Sequence, residues 1–136
     1  MKRFFAFLMM VLMVVSVLSF PAHAALPEVM EPNYENTYRT DVQVVFDGEE
    51  GTVIASARGK AGTSKIKIYI SVYELVDGYQ WGDVVGNYKE ADSIICIYEL
   101  PFLARQGTEY KVVVEFFVTR NGVTEYINRE NYYTYE

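Results

Sequence analysis

The sequence predicts an all-β protein, a two-sheet sandwich of about seven strands preceded by a signal peptide. Three observations predict it. After residue 38 apolar side chains recur at period two rather than at a helical period. Turn signals such as Asp77-Gly78 and Asn121-Gly122 punctuate these runs at regular intervals. The stretch Tyr110, Val112, Val114, Phe116 and Val118 reads as one long buried strand, because alternate residues of a strand share a face. Short strands with no helical segment bury their apolar faces best by stacking two sheets.

The chain opens with Lys2 and Arg3, followed by a nearly unbroken apolar run over 4–20, then Pro21 and the small residues of Ala22-His23-Ala24. These are the three parts of a secretory signal, and cleavage is expected after Ala24. The alternative, an uncleaved anchor, has an apolar run slightly short for a bilayer span. The expected organisation is a signal peptide over 1–24, a leader segment over 25–37 and the sandwich over 38–136. Secretion to the cell exterior or surface follows, with no membrane attachment after cleavage. Losing Lys2 and Arg3 leaves ten basic residues against eighteen acidic ones, a formal charge of −8. Phosphate polymers repel such a domain, so nucleic acid is not an expected partner.

Along the chain, the first strand is expected from Tyr38 to Phe46, with Tyr38, Val42, Val44 and Phe46 on one face. Asp47-Gly48-Glu49-Glu50-Gly51 reads as a turn; its carboxylates are hard calcium ligands, but their spacing fits no calcium loop. The second strand, Thr52 to Arg58, points the small residues Ala55 and Ala57 inward with Val53. Gly59 to Thr63 is a loop that lacks the spacing and the following helix of a phosphate-binding loop. The third strand, Lys65 to Val76, turns Ile66, Ile68, Ile70 and Val72 to the core and Tyr69 and Tyr73 away from it. A two-residue turn at Asp77-Gly78 returns the chain through Tyr79 to Tyr88. In that register Trp81 faces the core as a lid at its edge, a ligand platform being the alternative, and Val84 faces outward.

The fifth strand, Ser93 to Glu99, is apolar on both parities, so its facing cannot be read. Cys96 lies within it and is the sole cysteine, expected as a buried thiol; an intermolecular disulfide would need it exposed. Asn121-Gly122 closes a last hairpin that pairs Phe117 with Tyr126 and Phe116 with Ile127. Continuing that register drives Arg129 and Asn131 toward the core, so a bulge is expected near Asn128. The first, second and fifth strands are expected to form one sheet, and the remaining four the other.

The spacing of Leu100, Leu103, Gly107, Thr108 and Tyr110 resembles the E–F corner of fibronectin type III and related immunoglobulin-like domains. That resemblance implies an immunoglobulin-like sandwich in which Leu100, Leu103 and Tyr110 are structural and the tyrosine hydroxyl bonds back to upstream backbone. The tryptophan usual on the second strand of fibronectin type III is missing from Val53–Ala57. More broadly, Gly59-Lys60-Ala61-Gly62-Thr63-Ser64-Lys65-Ile66, Trp81 and Gly107-Thr108-Glu109-Tyr110 resemble uncharacterised single-domain proteins secreted by Gram-positive bacteria. That resemblance implies fold and export, and no activity.

The residue inventory argues against an enzyme. His23 leaves with the signal, so no histidine remains for a catalytic triad or a zinc site, and no cofactor or metal is expected. Asp83, Glu90, Asp92, Glu99 and Glu109 could in principle pair as in a glycosidase, yet nothing in the sequence sets two of them side by side. The positive reading is a non-catalytic recognition or adhesion module. Tyr69, Tyr73, Val84, Val113, Phe117 and Tyr126 share the outward face of one sheet and would meet an unknown protein or cell-wall glycan there. Two other roles compete: a structural or self-assembling protein joined through the same face, and a carboxylate-dependent hydrolase. Such aromatic pairs also stabilise an exposed sheet with no partner.

Overall fold

In the computed structural model, residues 33–136 are described; the expected signal peptide and the expected leader up to residue 32 lie outside them. Alternating β-branched and aromatic residues make seven strands: β1 (Thr37–Asp47), β2 (Glu50–Gly59), β3 (Thr63–Val76), β4 (Gln80–Ala91), β5 (Ile95–Leu103), β6 (Glu109–Arg120) and β7 (Val123–Thr134). They form two antiparallel sheets, ordered β1-β2-β5 and β4-β3-β6-β7, the partition that the sequence predicts.

The two central strands of the larger sheet supply most of the core. Ile66, Ile68, Ile70 and Val72 of β3 and Val112, Val114, Phe116 and Val118 of β6 are sealed from solvent. Each such side chain contributes on the order of 1.5–3 kcal/mol by leaving water. Opposite them lie Val53, Ala55 and Ala57 of β2 with Cys96, Leu100 and Phe102 of β5. Cys96 is thus a buried thiol, and burial pushes its pKa up. Gly51 has no side chain for a steric reason: a Cβ there would come within 2.3 Å of the Phe102 ring.

The corner before β6 is built on Tyr110. Its ring is fully buried and its hydroxyl accepts the Arg105 backbone N–H at 2.7 Å. Leu100 packs inward as expected, but Leu103 is 81% exposed. The physical reason is that β5 stays extended to Leu103, which pairs with Glu50. Strict alternation then sends Leu100 and Phe102 inward and Leu103 outward.

Of the two tight-turn readings, one changes. Asn121 and Gly122 both take positive φ, and Arg120 pairs with Val123 across a two-residue turn, as expected. Asp77 and Gly78 likewise take positive φ, but Tyr79 joins the loop and Val76 pairs with Gln80. The extra residue reverses the facing of the start of β4. Trp81 therefore sits opposite Leu75 on the outer face, and is no core lid. A bulge between Val72 and Tyr73 then adds Val84 as a second extra residue, which restores the outward parity from Gly86 onward.

The bulge expected near Asn128 is absent: β6 and β7 pair without a shift from Arg120–Val123 to Glu109–Thr134. The polar residues are accommodated because β7 is an edge strand. The Arg129 guanidinium reaches Thr40 Oγ1 at 3.2 Å and lies over the Tyr34 ring. Residues 33–36 are anchored to the β6–β7 hairpin. The Glu125 carboxylate accepts the Glu35 N–H at 2.7 Å and the Thr37 hydroxyl at 2.6 Å, while buried Asn36 donates to the carbonyls of Val118 and Val123.

Candidate functional site: the outer face of the four-stranded sheet

Alternation on β3 and β6 forces one residue of each pair away from the core, and cross-strand register decides which of these meet. The pairings β4–β3–β6–β7 arrange the outer face in rows. Asp83, Tyr73, Lys111 and Tyr132 make one row; Gly86, Ser71, Val113 and Glu130 the next. Tyr88, Tyr69, Glu115 and Asn128 follow, then Glu90, Lys67, Phe117 and Tyr126. The structure thus brings together Tyr69, Tyr73, Val113, Phe117 and Tyr126, five of the six residues expected there. Val84 departs from the expectation. As the bulged residue it packs partly against the core, although it still borders a depression on this face.

The aromatic array is larger than the sequence reading made it. Lys111 stands between Tyr73 and Trp81, its ammonium 4.7 Å and 5.0 Å from the two ring centroids. Trp81 in turn packs against Tyr132 at 5.6 Å. Tyr69 stacks on Tyr88 with centroids 6.4 Å apart, and the Lys67 ammonium sits 4.3 Å over Tyr88. Phe117 and Tyr126 meet at 5.2 Å. Carboxylates fix two of the tyrosines: Tyr126 donates to Glu115 at 2.7 Å, and Tyr132 donates to Glu130. Each of these hydrogen bonds raises the tyrosine pKa, because the neutral phenol is the donor. Lys65 and Glu90 form an ion pair at 2.9 Å on the same sheet, and the Glu90 carboxylate holds the lysine pKa up.

Sequence reasoning missed Trp81, Tyr88, Tyr132 and Lys111. Tyr88 has the outward parity of its strand and could have been found from it. Tyr132 shares parity with Tyr126, but the expected bulge hid the relation. Trp81 was not accessible, since its facing depends on the length of the Tyr79 loop.

Between the Tyr69–Tyr88 stack and Tyr73 the face dips. A depression of about 420 Å³ is bordered by Tyr69, Ser71, Tyr73, Asp83, Val84 and Gly86. A larger cleft of about 810 Å³ lies at one end of the sandwich, bordered by Glu49, Glu74, Asp83, Leu103, Arg105 and Tyr135. Arg105 and Glu74 pair across it at 2.5 Å, so its most prominent charges neutralise one another. Of the carboxylates considered for hydrolysis, Asp83 and Glu90 belong to this outer face, whereas Glu99 lies on β5 in the other sheet. Among the described residues, no three His, Cys, Asp or Glu side chains group as a metal site.

No family model matches the chain, and no curated protein matches it. Among solved structures it is similar to catalytically inactive OgpA from Akkermansia muciniphila in complex with an O-glycopeptide, with 14% identity and a TM-score of 0.43 over 75% of this chain. Wild-type OgpA from the same organism gives 15% identity and a TM-score of 0.44 over 78% of this chain. The chain spans only 30% and 31% of those two proteins. A protein from Archaeoglobus fulgidus is similar over 74% of this chain and 98% of its own, at 11% identity and a TM-score of 0.35. Values this low assign no activity, substrate or partner to this chain.

Proposed function

We propose that the protein is a non-catalytic, secreted recognition module that engages a cell-wall glycan or a protein through the outer face of the four-stranded sheet. The observation that carries this reading is the aromatic array itself. Tyr69, Tyr73, Trp81, Tyr88, Phe117, Tyr126 and Tyr132 draw on all four strands. Isolated cross-strand pairs suffice to stabilise an exposed sheet. Here three groups of rings share one face, Tyr69 with Tyr88, Phe117 with Tyr126, and Tyr73, Trp81 and Tyr132 around Lys111. Rigid aromatic groups gathered on one surface bury area on contact at little entropic cost. Lys111 and the carboxylates of Glu115 and Glu130 hold four of these rings in place, so the surface is ordered before contact.

The test is retention of purified cell-wall material and secreted proteins on the immobilised protein. Tyr73→Ala and Phe117→Ala should each abolish retention while lowering the melting temperature only slightly. Retention that survives both substitutions removes the outer face from the function. A mass that grows with concentration, and that Phe117→Ala returns to the monomer, would transfer the face to self-assembly.

A further inference from the structure

We infer that the depression over Gly86 is a subsite for a neutral, β-linked polysaccharide chain. The inference rests on the recognition reading above and names its ligand class. Three features of the site converge on it.

The first is shape. Gly86, on the edge strand β4, pairs with Ser71, which lies between the outward rings of Tyr69 and Tyr73 on β3. A Cβ at Gly86 would lie 3.4 Å from the Tyr69 hydroxyl and 3.7 Å from Ser71 Oγ. The missing side chain therefore opens the floor. Gly86 is not among the glycines with positive φ, so the backbone does not require glycine here. A glycine in a strand interior marks a bulge or a site of close approach, and Gly86 lies two residues from the Val84 bulge and leaves open the space beside the Tyr69 hydroxyl. The volume of about 420 Å³ falls within the range of small-ligand sites, about 300–1,000 Å³.

The second is the lining. Tyr69 and Tyr73 stand four residues apart on one strand, roughly 13 Å at about 3.3 Å per residue. That distance accommodates a short run of linked pyranoses. A pyranose with equatorial substituents turns a face of axial C–H bonds outward. Those weakly positive hydrogens suit the negative face of an aromatic ring. β-1,4-Linked chains of such sugars are extended and keep these faces along a shallow sheet, whereas β-1,3-linked chains coil.

The third is polarity. Asp83 and the hydroxyls of Ser71 and Tyr69 border the same depression, and Asp83 makes no side-chain hydrogen bond among the described residues. The register set by the three-residue loop at Asp77–Tyr79 places Asp83 beside Tyr73 at the rim, just ahead of the Val84 bulge. An apolar peptide laid here would strip water from these groups without replacing its hydrogen bonds. An anionic polymer would meet Asp83 on a domain with a surplus of carboxylates. A neutral sugar supplies hydroxyls to the polar groups and C–H faces to the rings.

The experiment is calorimetric titration of the purified protein with cellohexaose, xylohexaose, laminarihexaose and, as the anionic control, hexagalacturonate. At least one neutral hexasaccharide should bind, and hexagalacturonate should not. Gly86→Val fills the floor with a residue that favours strands, so it should leave the melting temperature in place. It should also weaken binding at least about tenfold, or 1.4 kcal/mol. Val45→Ala, exposed on β1 of the other sheet, should leave it unchanged. Equal affinity in the Gly86→Val protein, or binding of hexagalacturonate alone, overturns the subsite. If no neutral hexasaccharide binds at millimolar concentration, the glycan is wrong. Retention of a protein that still depends on Tyr73 would then leave the outer-face reading standing, and loss of all retention would end both.

Discussion

Tyr110 couples two tasks that other core residues perform separately. Its ring packs against Phe46 and Phe102, at 5.9 Å and 5.2 Å, and its hydroxyl takes the Arg105 amide where the chain leaves β5. Without that acceptor the amide at the corner has no partner of equal geometry. Tyr110→Phe keeps the ring and removes only the bond, and should lower unfolding free energy by about 1 kcal/mol in urea titration. An unchanged midpoint would show that water replaces the hydroxyl without loss. This residue was legible in the sequence because the run from Leu100 to Tyr110 resembles the E–F corner of fibronectin type III-like domains, where the tyrosine hydroxyl bonds back to upstream backbone. Leu103 was misread for a related reason: spacing shows proximity, whereas facing depends on how far β5 remains extended.

Strand number, sheet partition and the facing of β3 and β6 were all legible, since each rests on unbroken alternation over many residues. Register across β3–β4 was not. Asp77-Gly78 and Asn121-Gly122 carry the same signal and the same positive φ, yet Tyr79 lengthens only the first loop. A one-residue change in loop length turns every following side chain over, and Trp81 followed. The facing of β5 was hidden because both of its parities are apolar, and the structure explains how that is tolerated. Gly59 N–H bonds to the Ile94 carbonyl and Ala104 N–H to the Glu49 carbonyl, so even residues of β5 address β2 and odd ones address the free edge. Ile95, Ile97 and Leu103 are exposed along that edge. Two devices blunt it: Pro101 has no N–H to offer, and the Lys89 ammonium occupies the Ile97 carbonyl at 2.9 Å. Replacing both, as Pro101→Val with Lys89→Ala, should leave the urea midpoint nearly unchanged. It should also raise the light-scattering mass with concentration above that of the native chain. Identical masses would mean that the edge is protected by some other feature.

At the scale of the whole molecule, the shifts caused by burial all oppose loss of a proton. Burial raises the pKa of the Cys96 thiol and of the Tyr98 and Tyr133 phenols. An unfolded chain releases these protons first, near the ordinary values of 9.0 for the thiol and 10.0 for the phenols, while the folded chain retains them. Unfolding is therefore favoured increasingly as pH rises through that window, and nothing is lost from these groups below it. Lys65 and Arg105 act in the same sense at higher pH, since Glu90 and Glu74 stabilise their charged forms in the folded state. The melting temperature should decline from about pH 9 upward, with the thiol responsible for the first part of the decline. Cys96→Ala separates that part from the rest: it should lower the melting temperature at neutral pH by opening a small cavity, and flatten the profile between about pH 9 and 10. A native profile already flat there, or an alanine profile that falls as steeply as the native one, would show that the thiol titrates freely and that the space between β2, β5 and the larger sheet admits water.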